Sequence, residues 1–195
     1  MRQYFQADFK EFLSEHAKDY DYVIFDPPWK FNNKVPNLFN QQLTYSLWNN
    51  NMEDLRWIFE NTNGPKYIFI WTCNSIINEV FEAAKDTGWI YKTMVTWVKQ
   101  TNKGNLFYGL GNTFRNATEQ MLVFQRPKTK ALNLSLRNVF MAPAGVRTIK
   151  PKKFEGGLIN ALNSKGMNGV YIFCGDSFGC LDIDGVDVLP PEVII

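Results

Sequence analysis

A single α/β domain with a mostly parallel sheet is the fold this sequence predicts, on three observations. Short apolar runs alternate with stretches of helical periodicity along the 195-residue chain. The runs are apolar throughout rather than at every second residue, which marks strands covered on both faces. Hydrophobic residues make up 45% of the chain, enough for one substantial core at this length.

Taken in order, 1–7 reads as a short extended piece and 9–18 as a short, mildly amphipathic helix or loop. Tyr22 to Phe25 is a first strand. Residues 30–51, rich in Asn, Gln and Pro and without period, form a long loop of the kind that carries function. Leu55, Ile58 and Phe59 mark a helix over 52–61, and Asn63-Gly64-Pro65 marks a turn. A strand over 66–72 and a helix over 76–87, stopped at Gly88, follow. A third strand covers 90–99, a Gly- and Asn-rich loop 100–116, and a fourth strand 119–125. Residues 128–153 read as irregular, 154–164 as a helix weakened by two glycines, and 169–174 as the last strand. There is no repeat and no linker, so one domain spans residues 1–195.

The net charge of +2 neither demands nor excludes nucleic acid. Three cysteines (Cys73, Cys174 and Cys180) and one histidine (His16) argue against a zinc site and for free thiols in a reducing compartment. No leader-like start and no run of membrane-spanning length is visible, so the expectation is a soluble, cytoplasmic protein without a membrane partner.

The chemistry gathers at Asp26-Pro27-Pro28-Trp29. Neither proline can extend a central ladder, so the first strand stops at Asp26. This sets a carboxylate, a stiff turn and an indole at the strand's C-terminal end, the edge where ligands bind in open α/β sheets. Asp26 offers acceptors to an amine, the Pro27 carbonyl is held at little entropic cost, and Trp29 brings a stacking face. The alternative is a strand end whose Trp packs in the core. No G-x-G-x-x-G opens the chain, which disfavours an ordinary N-terminal dinucleotide fold.

With these residues in view, the chain resembles the D-P-P-W adenine methyltransferases, the MT-A70 type with its bacterial and phage DNA-modifying members. The likeness rests on ordered blocks from about Asp8 to Asp187: Asp26 to Trp29, Tyr45 in the long loop, Phe69-Ile70-Trp71-Thr72, Thr87-Gly88-Trp89, Trp97-Val98-Lys99, the Gly-rich loop leading to Glu119, and Lys150-Pro151. It implies a permuted Rossmann-like methyltransferase, catalytic motif first and cofactor strand last, with helices flanking the sheet.

The resemblance further implies S-adenosylmethionine as donor and the exocyclic amine of adenine as acceptor. Asp26 and the Pro27 carbonyl would hold that amine, with Pro28 stiffening the turn and Trp29 and Tyr45 walling the base. Asp8, Asp26, Lys150, Pro151, Phe173, Cys174, Gly175 and Asp187 would serve the donor, with Asp176, Asp182 and Asp184 as further ribose acceptors. Tyr171 and Gly175 stand where the family's writers commonly carry an acid and an Arg, and Thr118 where some carry a Lys. Phe173-Cys174-Gly175 resembles the F-x-G turn of bacterial DNA amino-methyltransferases, whose glycine lets backbone approach the donor. Lys30, Lys34, Lys99, Lys103 and Arg115 flank the loops and are candidate phosphate contacts.

The expectation is therefore a stand-alone adenine methyltransferase acting on DNA, with RNA as the alternative substrate and a homodimer or heterodimer left open. A methyltransferase-like subunit that binds nucleic acid or supports an active partner is the second reading. Methylation of cytosine's amine is the third.

Overall fold

The structure is a computed structural model and describes residues 8–30, 47–111, 113–145, 150–173 and 185–189. The expected extended piece at 1–7, most of the long loop with Lys34 and Tyr45, and Cys174, Gly175, Asp176, Asp182 and Asp184 lie outside the described residues.

Four α-helices and seven strands are described: α1 (Phe9–His16), β1 (Tyr22–Phe25), α2 (Asn51–Asn61), β2 (Tyr67–Thr72), α3 (Ile77–Ala84), β3 (Ile90–Gln100), β4 (Thr118–Gln125), β5 (Val139–Pro143), α4 (Lys152–Asn163), β6 (Gly169–Ile172) and β7 (Asp187–Leu189), with a 3-10 turn at Ala17–Asp19. They form one sheet in the order β5-β3-β4-β2-β1-β6-β7. β1 pairs in parallel with β2 and β6, β6 with β7, and β3 with β5. β4 is antiparallel to both β2 and β3, so it alone runs against the others. The mostly parallel α/β fold expected from the continuous apolar strands is the one observed.

Period-two alternation splits the core. Val23, Phe25, Ile68, Ile70, Val170 and Ile172 point to the face covered by α1, α2 and α3. Tyr22, Ile24, Phe69, Trp71, Trp97 and Tyr171 point to the face covered by α4. The helix starts follow from capping chemistry. The Asp8 carboxylate accepts from the N–H groups of Lys10 and Glu11, and the Asn50 side chain accepts from Glu53 N–H.

Three expectations are corrected. The helix over 76–87 ends at Ala84, because Asp86 (φ 61°) and Gly88 (φ 80°) adopt left-handed backbone in the turn that follows. Residues 128–153 are not wholly irregular. They contain β5, a parallel edge strand made of the short apolar run Val-Phe-Met-Ala-Pro, whose Val139 and Met141 are exposed. The run from Gly169 is not the last strand; it ends at Ile172, and the three-residue β7 pairs outside it. No described helix is long and apolar enough to cross a membrane.

Candidate active site

The turn after β1 is held where the sequence breaks the ladder. Asp26 N–H still donates to Ile172 O of β6 at 3.0 Å, and the two prolines then end the pairing. Trp29 N–H donates to Pro27 O and Trp48 N–H to Pro28 O, each at 2.9 Å. Asn51 clamps the exit, accepting from Lys30 N–H and donating to Lys30 O.

Two residues beyond Ile24, the Asp26 side chain falls on the α4 face. Lys150, two residues before α4, donates from Nζ to both of its carboxylate oxygens at 2.7 Å, and both side chains are buried. Because β4 is reversed, its first residues stand at the edge where β1 and β2 end. Glu119 thereby reaches the same cluster, with Oε2 3.6 Å from Lys150 Nζ and Oε1 paired with Lys99 Nζ. The result is a chain of alternating charge: Asp26, Lys150, Glu119, Lys99. Two indoles support it, Trp71 with Lys150 Nζ at 5.5 Å and Trp97 with Lys99 Nζ at 5.0 Å from the ring centroids.

Burial and pairing compete in this cluster. Burial pushes the Asp26 carboxyl up to about 6, against the opposing pull of the Lys150 ammonium. Burial alone would lower Lys150 and raise Glu119. For Lys150, Asp26 and Glu119 outweigh it and hold the ammonium above its ordinary value. For Glu119, Lys150 and Lys99 outweigh it and hold the carboxyl below its own. Beneath the chain lies a second buried pair, in which the Tyr171 hydroxyl donates to Glu155 Oε1 in the first turn of α4. Burial pushes Glu155 up to about 7 and carries Tyr171 well above its usual range.

On the opposite face, four rings pack at the end of β1 and β6. Trp48 meets Trp29 edge-on (centroids 5.3 Å, 84°) and Phe173 likewise (5.5 Å, 83°), while Phe9 stands 4.9 Å from Phe173. Phe173 reaches this face by a left-handed backbone (φ 62°), which breaks the strand alternation.

Asp26, Pro27, Pro28, Trp29, Lys150 and Pro151 are thus brought to one sheet edge, with Phe173 beside them. Asp8 precedes Phe9 and so neighbours this edge, but its carboxylate caps α1. The expected stacking face of Trp29 is corrected: the indole is buried against Trp48 and forms wall. Asp187 is also corrected. It begins β7 opposite Val170, in the half of the sheet where strands start, and accepts from Tyr20 Oη at 3.0 Å. Lys99, read as a phosphate contact, is instead paired with Glu119. Tyr45, Cys174 and Gly175 lie outside the described residues.

The sequence reading left Glu119, Glu155 and Tyr171 out of the site. Parity was the available signal: Glu119 is two residues from Met121, and Lys99 two from Trp97. Its use required knowing that β4 is reversed.

The MT-A70 family model matches residues 20–176. No curated protein sequence matches the chain. Among solved structures, the crystal structure of M1.HpyAVI is similar at a TM-score of 0.59 and 16% identity, covering 98% of this chain and 93% of that one. The crystal structure of the M1.HpyAVI-SAM complex is similar at a TM-score of 0.60 and 17% identity, covering 98% and 94%. At these identities the likeness is one of fold.

Proposed function

The chain belongs to the MT-A70 family, and on that footing we propose that it transfers a methyl group from S-adenosylmethionine to the exocyclic amine of adenine in DNA. The observation that carries this reading is Asp26: a buried carboxylate at the C-terminal end of β1, oriented through both oxygens by Lys150.

The residues present fit the donor's chemistry. A sulfonium cation is matched by the buried Asp26 carboxylate, and the rings of Phe9 and Phe173, packed at the ends of β1 and β6, give that edge an apolar border. In this reading Phe173 and the edge beside it hold the donor, with Lys150 and Pro151 bordering it. S-adenosylmethionine, when bound, supplies an electrophilic methyl and requires no metal.

The chain's own task is to hold and orient the amine. A carboxylate has about four lone-pair directions, and Lys150 uses two of them on Asp26. The target amine takes another, and the Pro27 carbonyl, engaged once by Trp29 N–H, keeps a second lone pair. Acceptors on both sides favour a pyramidal nitrogen and stabilise the positive charge that develops on it. In a duplex the base must first leave the stack.

Isothermal calorimetry of the donor, followed by tritium transfer to DNA and to RNA, tests the proposal. Asp26→Ala is expected to abolish transfer in a chain that is less stable but still folded, as read by circular dichroism. Full activity in that variant, or no donor binding by the natural chain, would overturn the enzyme reading. The second outcome would favour a non-catalytic subunit, a reading that draws on Lys150 occupying both Asp26 oxygens.

A further inference from the structure

The 17 residues between β3 and β4 carry the two most exposed aromatic rings among the described residues. Tyr108 is 76% exposed and Phe114 83%, with Leu106 and Leu110 also open to solvent. Such a patch calls for a partner. We propose that this loop is a stacking platform for an unpaired strand of the nucleic-acid substrate, with Tyr108 and Phe114 facing bases and Lys103 and Arg115 supplying positive charge to phosphates.

Three features favour that occupant. Residues 101–117 contain no Asp or Glu, so their charge is wholly positive. Arg115 lies 5.0 Å over the Tyr108 ring, pairing a cation with a stacking face, which is the combination that tracks single strands without reading sequence. The loop is also built firmly. Phe107 N–H donates to Lys99 O, Gly109 N–H to Asn116 O, Asn116 N–H to Leu110 O, and Asn74 Nδ2 to Asn116 Oδ1. A Cβ on Gly109 would stand 2.2 Å from Asn116 O, and one on Gly111 1.9 Å from Phe114 O, so glycine permits the close crossing that displays the rings.

Position completes the argument. The loop leaves β3 after Gln100, next to Lys99, and returns at Thr118, so it shares the sheet edge with Asp26 and Glu119. A strand laid across it delivers a neighbouring base to that edge. The inference rests on the proposed nucleic-acid substrate but is read by a separate measurement.

Fluorescence anisotropy with a labelled single-stranded DNA oligonucleotide and its duplex, on the full chain, tests it. Tyr108→Ala/Phe114→Ala is expected to weaken single-strand binding at least about tenfold, the loss of two stacked bases. Phe114→Trp is expected to retain binding, and donor affinity by calorimetry is expected to stay unchanged in both. The platform is overturned if the double variant binds as the natural chain does, or if the natural chain binds no oligonucleotide. It is equally overturned if removing the rings only dissociates a protein assembly in sedimentation. Binding through the loop without methyl transfer would refute the proposed activity and leave the platform standing.

Discussion

Lys150 and Asp26, 124 positions apart in the chain, form a buried pair in which one ammonium donates to both carboxylate oxygens at 2.7 Å. The contact ties the start of α4 to the end of β1 across the sheet edge. Removing one partner leaves a buried charge with less compensation, in full for Asp26 without Lys150 and in part for Lys150, which keeps Glu119 at 3.6 Å, a loss of up to about 3–5 kcal/mol. Lys150→Met and Asp26→Asn should each destabilise on that scale, and the double variant by clearly less than their sum. Urea unfolding of the four proteins measures this, and additive effects would show that the two residues are not coupled.

The pH dependence of transfer should report the Asp26 carboxyl, which burial raises to about 6. As the acceptor for the amine it must be ionised, so the single-turnover rate should climb through about pH 6 and level off above it. Lys150→Gln removes the ammonium that opposes burial and should move the inflection upward. A profile that stays flat on either side of pH 6 would contradict this role for Asp26.

Glu155 should make stability fall as pH rises. Its ordinary value is 4.5 and burial lifts it to about 7, with Tyr171 only partly offsetting this. Between those values the folded chain keeps a proton that the unfolded chain has lost. The contribution is therefore complete below about 4.5 and is lost as pH climbs to about 7, at no more than about 1.4 kcal/mol per pH unit. Asp26, also raised, acts in the same direction over the lower part of that window. Melting curves from pH 5 to 8 should show a steeper decline for the natural chain than for Glu155→Gln; parallel declines would be the contrary result.

Two glycines should respond oppositely to alanine. A Cβ on Gly169 would stand 2.2 Å from the ring of Tyr22, its partner across β1 and β6, and that ring is fully buried. Gly169→Ala should destabilise by about 1–3 kcal/mol through overpacking. Gly156, inside α4, has open space where its Cβ would go, so Gly156→Ala should stabilise by about 0.5–1 kcal/mol. Chemical denaturation of both variants checks the contrast.

Several of these features were legible in the chain itself. The halt of β1 at Asp26 follows from two successive residues without an N–H, and the apolar runs within β1, β2, β4 and β6 announced a covered, mostly parallel sheet. Lys150-Pro151 was recognisable by resemblance. By contrast, the five apolar residues of β5 lie between two irregular stretches on a half-exposed edge, and β7 is only three residues long, so neither stood out as a strand.

What the sequence determined alone is local: where strands must stop, which residues alternate, and where a carboxylate, a stiff turn and an indole must sit together. Only the tertiary structure decided the company Asp26 keeps. The reversal of β4 brings Glu119 and Lys99 to that edge, and the packing of α4 delivers Lys150 and Glu155. Strand direction and helix docking are set by long-range pairing and burial, and neither leaves a periodic trace in any single segment. The same packing buried Trp29 and carried Asp187 to the far half of the sheet. Residue type alone could not tell that Trp29 stands as wall or that Asp187 lies away from that edge.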